Sequence, residues 1–237
     1  MFAYWLIDLV RHGETEGGAC FRGWQDDSLS AAGWQQLEQA TAGAPIPPQS
    51  AAAPGHASGL SSGHGSRPTA VRSETPAETQ PAAWDRILTS PARRCASFAQ
   101  TLGRRLGIGV EPRDAFRERG FGAWEGKRAD QLPADELARF WTEPSGYDPP
   151  DSEPFADFRH RVIGAWHELV DRREGHTLLI THGGVIRVIL GEVLGLADDR
   201  LLLLEVPPAC RTRLRVPIGE GRPSLISHGE PTAASSD

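Results

Sequence analysis

Two short apolar runs, nearly the whole chain apart, end in the same way: Leu9-Val10-Arg11-His12-Gly13 and Ile180-Thr181-His182-Gly183-Gly184. Each is strand-length and stops at glycine, which marks a strand rather than a helix. Between them, strand-like and helix-like segments alternate. Ser30 can cap a helix running to about residue 42, with Trp34 and Leu37 on one face. Residues 86–90 read as a short strand, and Pro91 as the first residue of a helix ending near Gly107. Residues 110–116 read as a strand entering a Gly-rich loop. Phe155, Phe158, Val162, Trp166, Leu169 and Val170 recur at helical spacing, Thr177–Thr181 is a further strand, and 185–194 is a helix apolar on most faces. Strands separated by helices predict an α/β fold: a three-layer α/β/α sandwich around a mainly parallel sheet.

The alternation is interrupted once. Residues 44–82 are rich in Pro, Ala, Ser and Gly and hold no aromatic residue. Such a stretch cannot bury enough apolar surface to offset the entropy of ordering it. It is expected to be a disordered insertion within one domain, 1–218, and the similar stretch 219–237 a disordered tail. What remains is about 180 residues, an ordinary size for one domain.

Charge narrows the function classes. Lys+Arg 25 against Asp+Glu 31 gives a net charge of −6, which argues against a nucleic-acid or anionic-membrane surface. No stretch approaches the length of a membrane span. The apolar start from Phe2 to Val10 contains Asp8 and is too short for a signal peptide, so a cytoplasmic protein is expected. Lys127 is the one lysine among the 25 cationic residues; the rest are arginines, planar forks suited to bidentate anion binding. Cys20, Cys95 and Cys210 are odd in number and lack metal-ligand spacing, so neither a disulfide framework nor a zinc site is indicated.

Ligands of an open parallel sheet bind outside the carboxyl ends of its strands. If the two His-ending strands are neighbours, His12 and His182 enter one crevice, together with Arg11. Arg94 falls in the first turn of the helix after Ser90, where its guanidinium can join free N–H groups in holding an anion. Two imidazoles, two guanidiniums and no carboxylate cluster suit a phosphoryl group. A neutral imidazole attacks phosphorus, and the cations and the second imidazole stabilise the transferring group. The leaving oxygen needs a proton donor. Glu118, between two arginines on the loop 116–126, is the better candidate, and Glu125 reads as an anchor of that loop.

Four ordered blocks then carry a resemblance. Arg11-His12-Gly13-Glu14-Thr15, Ser90-Pro91-Ala92-Arg93-Arg94, Glu118…Phe121-Gly122…Trp124-Glu125-Gly126 and Thr181-His182-Gly183-Gly184 together resemble the histidine phosphatase superfamily, which is phosphoglycerate-mutase-like. The resemblance implies a phosphohistidine at His12, a phosphate clamp of Arg11, Arg94 and His182, and Glu118 as acid and then base. It implies no cofactor and no metal. Within the superfamily, Cys20-Phe21-Arg22-Gly23-Trp24-Gln25-Asp26-Asp27 and Pro149-Pro150…Glu153…Phe155 are similar to segments of α-ribazole phosphatases. The implied substrate is α-ribazole 5′-phosphate, or adenosylcobalamin 5′-phosphate, in cobalamin nucleotide-loop assembly. Gly183, Thr15, Arg22, Gly23 and Trp24 would then contribute to substrate binding. Asp151-Ser152 stands where those phosphatases have a Gly pair, Pro154 where they have Ser, and Gly18 where mutases carry a phosphate-contacting Asn.

Other readings stay open. A broad-specificity phosphatase or a phosphoglycerate mutase would be separated by a substrate panel. A non-catalytic phospho-ligand binding module would bind phosphate without turnover. Outside the four blocks, Cys20 reads as a spectator thiol and His160 and His167 as a solvated helix face. Nothing in the chain specifies an oligomeric state.

Overall fold

The computed structural model describes residues 4–42, 84–172 and 175–229. The proposed insertion 44–82 and the last residues of the proposed tail, 230–237, lie outside the described residues. Six strands form one sheet in the order β3-β2-β4-β1-β5-β6. These are β1 (Tyr4–Arg11), β2 (Arg86–Thr89), β3 (Val110–Pro112), β4 (Thr177–Thr181), β5 (Arg211–Pro217) and β6 (Ser224–Gly229). Pairings β1/β4, β2/β4 and β2/β3 are parallel, and β1/β5 and β5/β6 antiparallel. The α/β sandwich with a mainly parallel sheet is therefore the fold observed.

The sheet is covered on both faces because its central strands have no polar face to offer. All five residues of β4 are buried, as expected for a strand between two helical layers. Leu9 and Leu179 point into one core cluster with Val162, Trp166, Val185 and Ile189, from α4 (Phe155–Asp171) and α5 (Gly183–Leu194). Val10, Leu178 and Ile180 point the other way, against Leu37, Phe98 and Leu102, from α1 (Ala31–Thr41) and α2 (Arg93–Leu106). Each such fully buried side chain contributes about 1.5–3 kcal/mol relative to exposure. A smaller cluster of Trp124, Leu132, Phe140 and Tyr147 lies under α3 (Ala134–Thr142).

Local signals explain most ends. The Ser30 hydroxyl accepts the Gly33 N–H at 3.0 Å and caps α1. Gly107 at φ 70° and Gly195 at φ 68° close α2 and α5 in the left-handed conformation. Three expectations are corrected. Pro91 precedes α2, which begins at Arg93, so it leads into the helix and is not its first residue. The strand expected over 110–116 stops at Pro112, whose ring removes a backbone donor, and a 3-10 turn at Asp114–Phe116 follows. The tail expected to be disordered from 219 includes β6, which pairs with β5 at the sheet edge. Backbone hydrogen bonds along β5 and partial burial of Leu225 against the core order it, and composition reports neither.

One polar group lies deep in this frame. Asp8 of β1 is fully buried. Its carboxylate accepts hydrogen bonds from Trp84 Nε1 at 2.8 Å, Arg211 Nη2 at 2.7 Å and Arg213 Nε at 2.7 Å, and lies 3.0 Å from His176 Nε2. Burial alone would raise its pKa, but hydrogen bonds from Arg213 and His176 and the nearby cations outweigh it and hold the carboxyl well below the usual range.

Candidate active site

The register of β1 against β4 decides where the two histidines stand. Arg11 pairs with Thr181, so His12 and His182 leave the sheet side by side, and the His12 N–H donates to the Thr181 carbonyl at 2.9 Å. Their rings meet edge to face, centroids 5.3 Å apart. β2 lies on the far side of β4, and the Ser90 N–H donates to the Ile180 carbonyl, bringing Ser90 to the same edge.

Each imidazole is oriented by a partner. His12 Nδ1 is 2.7 Å from the Gly13 carbonyl. A carbonyl only accepts, so Nδ1 carries the proton and Nε2 presents a lone pair. Burial, then the cations of Arg11 and Arg94, push the His12 pKa well below the ordinary imidazole value. It is neutral at neutral pH. His182, fully buried at the N-terminus of α5, has Nε2 2.7 Å from the Ser90 hydroxyl. Its pKa is also well below normal, from burial and then Arg94, His12 and Arg11. Behind it the buried Cys95 thiol lies 3.8 Å from Nε2; burial pushes its pKa up to about 12, so it stays a neutral thiol.

The two guanidiniums are held at their tips. Arg94 Nη1 and Nη2 donate to the carbonyls of Gln25 and Gly23, both at 2.7 Å, and Arg11 Nη1 donates to the Val206 carbonyl at 2.5 Å. The Nε atoms of both residues are buried without a hydrogen-bond partner. Buried unpaired donors are costly, and a pair of cationic ones beside two neutral imidazoles makes a site for an anion. Arg94 thereby fastens the loop 23–25 over the crevice. Glu125 fastens the same loop from the other side, accepting the N–H groups of Gly23, Trp24, Gln25 and Phe121, in agreement with its reading as an anchor. At Gly23 a Cβ would come within 2.0 Å of the Arg119 carbonyl, so this approach admits only glycine.

Glu118 enters from the opposite wall. Its Oε2 accepts the Gly184 N–H at 3.0 Å and its Oε1 the Arg119 N–H at 3.1 Å, an acid at the start of α5 in favourable contact with the helix dipole. The carboxylate lies where a Cβ on Gly184 would be, 2.3 Å from Oε1. Gly183, beside it, borders Arg11 and Arg187.

Next to Glu118 and Arg11 opens a cavity of about 400 Å³ with aromatic and aliphatic walls, Phe21, Phe121, Phe140, Trp141, Phe155 and Leu202 among them. Arg22 borders it but is tied to Asp27 at 2.7 Å, with 8% of its side chain exposed. The structure does not bring all the remaining candidates to the cavity. Trp24 is 57% exposed, its ring against Gly120, and Thr15 is buried in a bridge with Leu29; neither lines it. Sequence reasoning missed Ser90 as the partner of His182. It also missed Arg187, one turn into α5, whose Nε donates to the Leu204 carbonyl while the residue lines the cavity. Its signal was an arginine within the apolar run 185–190 of that helix. Among the described residues no group of three or more His, Cys, Asp or Glu is placed to hold a metal ion, and no helix is long and apolar enough to cross a membrane.

Known proteins resemble this chain in sequence or in fold. A Hydrogenobacter thermophilus protein, named provisionally as phosphoserine phosphatase 2, is 26% identical over 145 residues, 60% of this chain and 70% of its own. The uncharacterized phosphatase PhoE of Bacillus subtilis is 26% identical over 132 residues, 55% of this chain and 64% of its own. The α-ribazole phosphatase of Shigella flexneri superposes with a TM-score of 0.71 over 98% of this chain and 99% of that one; at 17% identity this is a likeness of fold. The model of one family matches residues 74–229, well over half the chain, including Ser90, Arg94, Glu118 and His182, while Arg11 and His12 precede the match. By that match the chain belongs to the histidine phosphatase superfamily (branch 1).

Proposed function

We propose that this phosphatase works in the cytoplasm through a phosphohistidine at His12, without metal or other cofactor, and that its substrate is α-ribazole 5′-phosphate. One observation supports the chemistry above the others: His12 Nε2 carries a free lone pair on an imidazole kept neutral beside two guanidiniums whose Nε atoms are buried without a partner. Nε2 attacks phosphorus and the bond to the leaving oxygen breaks, while Glu118 gives that oxygen a proton. Glu118 then takes a proton from water, the water oxygen attacks phosphorus, and the N–P bond breaks to release phosphate and free Nε2. Arg11, Arg94 and His182 hold the transferring oxygens. The substrate reading is supported by the aromatic cavity next to Glu118, which suits a leaving group carrying a flat apolar ring system.

Phosphate release in EDTA tests the reading, comparing kcat/KM on α-ribazole 5′-phosphate, phosphoserine, phosphoglycerate and simple sugar phosphates. The expected result is a preference of at least about tenfold for α-ribazole 5′-phosphate, the least that burying one ring system would give at 1.4 kcal/mol per tenfold. Similar slow rates on all four would instead make it a generalist, and phosphate binding without turnover a binding module.

The pH profile is a second expected result. His12 attacks only when neutral, and its pKa is depressed by burial and by Arg11 and Arg94. The acid limb of kcat/KM should therefore fall below the ordinary imidazole value of about 6.5. An acid limb at or above that value would show that His12 is not held among these cations.

A further inference from the structure

We infer that Arg161, on α4 and outside the crevice, is a positioning residue that sets where Glu118 stands. This rests on Glu118 being the proton donor proposed above. The loop bearing Glu118 has no regular structure of its own, lying between one 3-10 turn that ends at Phe116 and another that begins at Gly122. The Arg119 N–H on Oε1 and the Gly184 N–H on Oε2 hold the carboxylate, but the backbone that carries it needs a hold of its own.

The Arg161 guanidinium supplies the hold. Nη1 donates to the carbonyls of Ala115 at 2.9 Å and Arg117 at 2.8 Å, and Nη2 donates to the carbonyl of Glu118 itself at 3.1 Å. Nε and Nη2 also pair with the two oxygens of Glu153, at 2.6 and 2.8 Å, and the side chain of Glu153 is 11% exposed. Glu153 in turn grips the downstream flank: its Oε2 accepts the Gly120 N–H at 3.2 Å, and its own N–H donates to the Gly120 carbonyl at 3.0 Å. One arginine and one glutamate therefore pin the backbone on both sides of Glu118. Arg119 adds a bond from Nε to the Glu153 carbonyl at 2.9 Å. All five donor positions of Arg161 point at this loop and Glu153, so α4, a rigid helix, acts as the reference frame for the acid. Arg161 hydrogen-bonds none of the groups that hold the phosphate; its charge also acts on His182 from a distance, an effect that R161K keeps, so the loss tied to position is the part that depends on the leaving group.

A misplacement of about 1 Å in a catalytic group can cost about 10²-fold. The loss should appear only where the leaving oxygen needs a proton. The test compares kcat/KM, which reports steps up to phosphoryl transfer, on p-nitrophenyl phosphate and on an alkyl monoester such as phosphoserine. For R161M the expected result is a loss of about 10²-fold on the alkyl ester and less than about threefold on p-nitrophenyl phosphate. Across a series of aryl phosphates, the dependence of log kcat/KM on leaving-group pKa should steepen. R161K, which keeps the charge but cannot form the double pair with Glu153, should recover part of the loss. E118Q should show the same selectivity, and R161M/E118Q should be no slower than E118Q alone, because both act on one step.

Equal losses on both ester types, or losses that multiply in the double variant, would overturn the assignment and leave Arg161 a structural residue. If R161M does not fold, R161K and E153Q carry the same comparison, each leaving part of the network in place. A wild-type protein that turns over neither ester would overturn the phosphatase mechanism itself, which is a different failure from an active wild type with unselective variants.

Discussion

Replacing His12 with alanine is expected to reduce turnover by about 10⁴-fold or more and to abolish the phosphoenzyme, the scale of loss when a nucleophile is removed. The remaining imidazole cannot substitute. His182 Nε2 is taken by the Ser90 hydroxyl, its ring is fully buried, and it stands edge-on to His12. The variant should nevertheless stay folded. His12 is a buried polar ring between cations, not part of either large apolar cluster, and its loss removes a group whose burial is itself unfavourable. Labelling with a radioactive monoester, quenched in alkaline detergent because acid cleaves the N–P bond, together with a thermal melt, checks both halves. A phosphoenzyme that persists in the folded variant would move the nucleophile elsewhere. A variant that melts far below the parent would mean that the turnover loss says nothing about chemistry.

The second large effect is on stability and lies away from the crevice. Asp8→Asn should destabilise the domain by about 3–5 kcal/mol. The asparagine keeps the shape of the side chain but not the charge. Arg211 and Arg213, at 2.7 Å from the carboxylate, would then face a neutral amide, part of which offers donors to donors. At about 2–4 °C per kcal/mol for a domain of this size, the midpoint of thermal unfolding should drop by about 6–20 °C. The pH dependence gives a second readout. The folded carboxyl's pKa is held below the unfolded value by Arg213, His176 and Arg211 acting against burial. Its contribution is therefore complete above the unfolded carboxylate value of about 4 and is lost as the pH falls below it. Asp8→Asn should flatten that part of the stability profile. A variant that melts like the parent would show that the cluster only balances its own desolvation.

How legible this was in the chain differs from residue to residue. Arg11, His12 and His182 could be placed because a strand's carboxyl end is a fixed address in a parallel sheet, and both strands carry their histidine immediately after the last paired residue. Glu125 could be read as an anchor, and four backbone N–H groups converge on it. Trp24, named with its loop as a substrate contact, is exposed with its ring against Gly120 and outside the cavity lining. Neighbouring motif residues share a loop, but not the direction of their side chains. The strand β6 was hidden by a Gly- and Ser-containing composition, since an edge strand can be ordered by backbone bonds to its neighbour.

The chain by itself determined what local rules encode: the order of β1, α1, β2, α2, β3, α4, β4 and α5, the capped ends of α1 and α2, and the chemical inventory of imidazoles, guanidiniums and one acid. Periodicity, glycine conformation and strand termination all act within a few residues. Only the tertiary structure decided which of those groups meet. The adjacency of β1 and β4 sets the His12–His182 contact, Arg94 is turned toward the carbonyls of Gly23 and Gln25, and Glu118 is seated on Gly184 and held from behind by Arg161. These contacts join residues tens to hundreds of positions apart, and their geometry follows from how helices pack on the sheet. No spacing along the chain records that packing.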